Sequence, residues 1–95
     1  MIYRDDRILK EVGHRLSEKQ LEALPKVLEH IYSKGESDLY FELDRYGTDD
    51  LAGDLKITTQ DNPTTLKILT VRRTGKTTVN TFNRKNNRLT ENYEL

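Results

Sequence analysis

The stretch TTLKILTVRRTGKTTVNTFN, residues 64–83, decides the fold. It holds the densest aliphatic run of the chain, Leu66, Ile68, Leu69 and Val71, then Thr74-Gly75-Lys76, then a period-two run carrying Val79 and Phe82. β-Branched residues crowd both arms, among them Thr64, Thr65 and Thr70 before the turn and Thr77, Thr78 and Thr81 after it. Such side chains are stiff at χ1 and suit a pleated surface better than a helix. Two extended runs divided by a short loop with Gly predict a β-hairpin. In the first arm Leu66 and Ile68 fall on one face, Leu69 and Val71 on the other. A strand apolar on both faces lies centrally or has cover on its second face. That points to the N-terminal segment wrapping behind the sheet, or to a homodimer.

Towards the N-terminus, Gln60-Asp61-Asn62-Pro63 is a turn, because the residue before a proline is held extended and Pro63 lacks a ladder donor. Leu55, Ile57 and Thr59 alternate with Asp54, Lys56 and Thr58, and Leu39, Phe41 and Leu43 alternate with Tyr40, Glu42 and Asp44. Both runs predict strands with one buried face, joined through a loop at 46–50. Before Ser37 the period changes. Leu21, Leu24, Val27, Leu28 and Ile31 recur at the spacing of one helical face. Ser17 and Gln20 form a capping-box pattern before them, and Lys34-Gly35 supplies the stop. The expected helix spans 17–35 and is bent or split near Pro25, which removes a hydrogen bond and crowds the preceding turn. Residues 1–16 read as a short helix capped by Asp5 or Asp6 and stopped by Gly13, or as an edge strand from Ile2 to Val12. Beyond Phe82, the polar run 83–88 leads to a short last strand or a frayed tail over 85–95.

Helix first and sequential strands after it predict a single α+β domain over 1–95. An N-terminal helix packs on one face of a four-stranded antiparallel meander sheet spanning 37–84. The core is small, since only 34% of residues are hydrophobic and the mean hydropathy is −0.84. The chain has no cysteine, which excludes disulfides, thiolate chemistry and Cys-based zinc sites. No apolar run approaches a bilayer span, and the first residues lack a signal-peptide layout. The expectation is a soluble, cytoplasmic protein.

Several patterns could carry chemistry. Gly75-Lys76-Thr77 is like the end of a phosphate-binding loop, but position 70 is Thr where that loop needs Gly, and the flanks read as strands. A hairpin turn with Gly75 at positive φ is the better reading. Asp44, Asp49, Asp50 and Asp54 gather with Gly47 and Gly53 without calcium-loop spacing or a closing bidentate Glu, so a solvated acidic loop is expected. His14 and His30 have neither a serine nucleophile nor a second His at ligand spacing beside them. No catalytic, cofactor or metal residue is assigned, and no motif of a known family can be matched residue by residue.

Net charge is zero, yet residues 1–62 carry nine Lys or Arg against fourteen Asp or Glu, and residues 63–95 carry seven against two. This asymmetry points to an interaction surface, or to halves that complement each other in the fold. The basic set is Lys67, Arg72, Arg73, Lys76, Arg84, Lys85 and Arg88. It predicts a small non-enzymatic binding or regulatory protein, of the kind bacteria and phages carry as accessory factors. The expected partner is another protein, an acidic one being able to use this basic set, or a second copy of the chain. The alternative is a nucleic-acid-binding module using the basic surface of the 64–88 hairpin, which has charge and Thr or Asn donors but few stacking rings.

Overall fold

In the computed structural model, which describes residues 6–45 and 52–95, the strands are β1 (Leu39–Arg45), β2 (Ala52–Thr59), β3 (Thr65–Val71), β4 (Thr77–Asn83) and β5 (Leu89–Glu94). They form one antiparallel sheet in chain order. The helices are α1 (Asp6–Val12) and α2 (Glu18–Ser33), joined through a 3-10 turn at Gly13–Arg15. The α+β architecture is as the periodicity predicts, with one correction: the sheet has five strands, not four. The polar run after Phe82 is turn chemistry. Asn83 N–H donates to Arg88 O at 2.9 Å, and Asn87 adopts φ 57°, a left-handed geometry that Asn tolerates. The chain thereby returns as β5, with Tyr93 opposite Val79.

Of the two readings for the first residues, the described part is helical. Ile8 of α1 is fully buried while Leu9 is exposed. α1 ends at Val12, directly before Gly13 as expected, but Gly13 is not at positive φ: Leu16 N–H reaches Gly13 O at 3.2 Å and tightens the chain into the 3-10 turn. The capping box at the start of α2 forms: Ser17 Oγ accepts from Gln20 N–H at 3.1 Å, and Ser17 N–H donates to Gln20 Oε1 at 2.9 Å. At the other end Gly35, φ 79°, donates to Tyr32 O, and Glu36 N–H reaches Ile31 O. That is the Schellman pattern. Pro25 does not split α2, which runs through it. Pro25 and Leu21 are both exposed, so the hydrogen bond that Pro25 denies the Leu21 carbonyl is lost on the outer side of α2 and not in the core.

Cross-strand pairing arranges the helix-covered face in rows. One row is Leu43, Leu55, Val71 and Thr77, and the next is Phe41, Ile57, Leu69, Val79 and Tyr93. With Leu24, Val27, Leu28 and Ile31 of α2, and with Ile8 and Leu16, they make the core. The last row, Leu39, Thr59, Lys67, Thr81 and Glu91, is largely polar. The hairpin turn between β3 and β4 abuts the start of α2. Gly75 at φ 88° lets the chain pass where a Cβ would lie 3.1 Å from Lys19 O, and Ser17 Oγ–H donates to Arg73 O at 2.6 Å. Leu66, Ile68 and Phe82 lie on the opposite, outer face and do not join the core.

Candidate interaction surface

The seven basic positions do not form one patch. The register places the turn bearing Arg72, Arg73 and Lys76 at one end of the sheet, and Arg84, Lys85 and Arg88 at the other. A seven-residue strand separates them, roughly 20 Å. Lys67 is on neither surface. Its inward side chain is buried, and Nζ lies 3.0 Å from Glu36 Oε1 in an equally buried ion pair. Arg84 is occupied by backbone: Nε donates to Asn62 O at 2.8 Å and to Thr65 O at 3.0 Å, and Nη2 reaches Thr59 O at 3.4 Å. It therefore ties the β2–β3 turn to the start of the β4–β5 turn. Lys76 pairs with Glu94 at 3.0 Å, well exposed. Arg72, Lys85 and Arg88 are exposed and Arg73 is half-buried. Of the described ion pairs, Lys67–Glu36 joins the two oppositely charged halves, whereas Lys56–Asp44 and Lys76–Glu94 stay within one.

The outer face carries an apolar feature that the charge pattern does not reveal. Leu66, Phe82 and Leu89 are register partners in one row, and Tyr40, Thr58, Ile68, Asn80 and Asn92 form the next. Leu89 is 52% exposed and Tyr40 48%, while Leu66, Ile68 and Phe82 are half-buried. The Tyr40 hydroxyl donates to Glu42 Oε1 at 3.0 Å, and this bond raises its pKa above the ordinary tyrosine value. Asn92 and Asn80 are hydrogen-bonded side chain to side chain. The turn carrying Lys85 and Arg88 runs directly into Leu89, so cations and an apolar row adjoin at this end. A signal for it existed in the sequence, since Leu89 is apolar in a polar run, but its partner row needs the register of β5.

Elsewhere, His14 is exposed on the 3-10 turn. His30 Nε2 and the Tyr93 hydroxyl share a 2.7 Å hydrogen bond, with the rings edge to face. Burial, then the nearby Lys67 and Lys34 charges, lower the His30 pKa below 6.5, with Glu36 opposing. Asp44 pairs with Lys56 at 3.5 Å, and Asp54 is half-buried on β2. Gly47, Asp49 and Asp50 lie outside the described residues. Among the described residues no group of three or more side chains is placed to ligate a metal, and no helix is long and apolar enough to cross a membrane. No protein-family model, curated protein or solved structure matches the chain.

Proposed function

We propose that the protein is a non-enzymatic binding module, a regulatory or accessory factor that docks another protein on the outer face of its sheet. The observation behind this reading is the row Leu66, Phe82 and Leu89, which lies outside the core and adjoins exposed Lys85 and Arg88. An apolar centre supplies affinity as it leaves water, and a charged rim supplies orientation and encounter rate. The partner that fits brings apolar side chains onto this row and carboxylates to Lys85 and Arg88. A nucleic-acid surface draws less support. Lys67 and Arg84 are satisfied internally, and the remaining cations stand at opposite ends of the sheet.

Affinity capture from nuclease-treated source lysate, with wild-type protein and variants side by side, tests this reading. A stoichiometric acidic protein that Leu89→Asp and Arg88→Glu release, and that Arg72→Glu at the far end retains, is the expected result. Capture indifferent to Leu89 and Arg88 overturns it. So does binding of nucleic acid alone, with the steep salt dependence that phosphate contacts impose.

A further inference from the structure

At the β5 edge α2 stands over the end of the last strand, where His30 touches Tyr93. Lys26, Glu29, His30 and Ser33 follow the i, i+3, i+4, i+7 spacing of one stripe along α2. With Leu95 they line a groove of about 260 Å³, and His30 meets Tyr93 of β5. β5 is the last strand of the sheet, exposed at every residue except half-buried Tyr93. Leu95 N–H donates to Thr77 O at 3.0 Å, towards β4. Donors alternate along an antiparallel ladder, so the amides of Asn92 and Glu94 turn to the open edge.

We propose that this edge receives an extended peptide segment of a partner protein as a sixth, antiparallel strand, with side chains entering beneath the α2 stripe. Main-chain bonds to Asn92 and Glu94 supply affinity, and the alternate side chains supply specificity. Those side chains face Glu91, Tyr93 and Leu95, which alternate on the helix side of β5. Glu91 is exposed and selects a basic residue opposite it, since unlike charges directly across a ladder are favourable. Tyr93 and Leu95 select apolar residues. Lys26 and Glu29 balance each other on the groove wall, so the charge preference rests with Glu91. A second copy of this chain fits poorly, because antiparallel pairing about Tyr93 sets the Glu91 carboxylate against Leu95. This edge is separate from the outer face, and either surface can fail alone.

The probe is a synthetic heptapeptide, Thr-Leu-Thr-Val-Thr-Lys-Thr, titrated into the isotope-labelled protein while amide exchange is followed by NMR. The expected result is exchange slowed by about tenfold or more at the Asn92 and Glu94 amides on saturation. The same peptide with proline at its two central threonines, which removes the facing N–H donors, gives no slowing. Glu91→Lys, at an exposed site, shifts the preference to the peptide with Glu in place of Lys. Unchanged exchange at both amides in millimolar peptide overturns the proposal. Equally, resonance changes confined to Ile68 and Phe82 of the outer face overturn it, as does a solution dimer that already protects these amides.

Discussion

Ile68 and Leu69 are consecutive residues of β3, yet Leu69 is fully buried beneath α2 while Ile68 stays half-buried on the outer face. The backbone treats them alike, and both suit a strand. The difference is cover. One face of the sheet lies under a helix that carries its own apolar stripe, and the other has polar residues around a short apolar row. The covered face is itself uneven. Its Leu69 row is apolar almost throughout, whereas the Lys67 row holds Thr59 Oγ1 and Thr81 Oγ1 buried without a hydrogen-bond partner in the protein, as is Oε2 of Glu36, the residue paired with Lys67. Burying polar groups costs free energy, so burial of this row stabilises the fold less than burial of the Leu69 row does.

The largest expected effect breaks the contrast at its centre. Leu69→Ala removes a fully buried side chain and leaves a cavity, with a loss of about 4 kcal/mol in urea unfolding. A loss as small as that of an outer-face change would show that the Leu69 row is not the core. Next comes the polar row. Glu36→Ala strands the Lys67 ammonium under the helix and costs about 3 kcal/mol. Glu36→Leu with Lys67→Met recovers most of that, because an ion pair taken out of water is a weak source of stability. If the double change is as harmful as the single one, the pair itself is the stabilising element.

Gln20 sharpens the comparison from the other end of the helix. Beyond its part in the cap, its Nε2 donates to Gly53 O at 2.8 Å and Val71 O at 3.1 Å, clamping α2 to β2 and β3. Gln20→Ala leaves two buried carbonyls without that donor and costs about 2 kcal/mol by thermal unfolding. Gln20→Glu, which keeps the cap acceptor but loses the amide donor, also destabilises. Ile68→Ala on the outer face costs about 1 kcal/mol or less, having only half as much surface to lose.

The smallest effect is the pH response of His30. Its pKa in the fold is lowered by burial and by Lys67 and Lys34, so the folded state binds the proton more weakly than the unfolded chain. Its contribution to stability is fully present above pH 6.5 and is lost as pH falls through the lowered folded-state value. Urea midpoints at pH 7.5 and 5.5 should therefore differ less in His30→Gln than in wild type. An unchanged difference removes His30 as a source of the acid sensitivity.

Legibility in the sequence tracks locality. The hairpin around Gly75, the box at Ser17 and Gln20, and the stop at Gly35 were all readable, because each is set by residues within one turn of one another. The alternation of β1 to β4 was readable for the same reason. β5 was harder, since Leu89, Tyr93 and Leu95 are spread through polar residues and show no run. The basic set was misleading as a patch. Sequence shows that Lys67 and Arg84 are cations, but not that Glu36 and three backbone carbonyls engage them from elsewhere in the chain.

Period and turn chemistry by themselves determined that this chain makes a helix and then a meander, since side-chain direction in each element follows from its repeat. Which cations remain wet, which face stays open and where the sheet ends were decided only by assembly. Each depends on groups far apart in the chain meeting in space, and no local pattern encodes that.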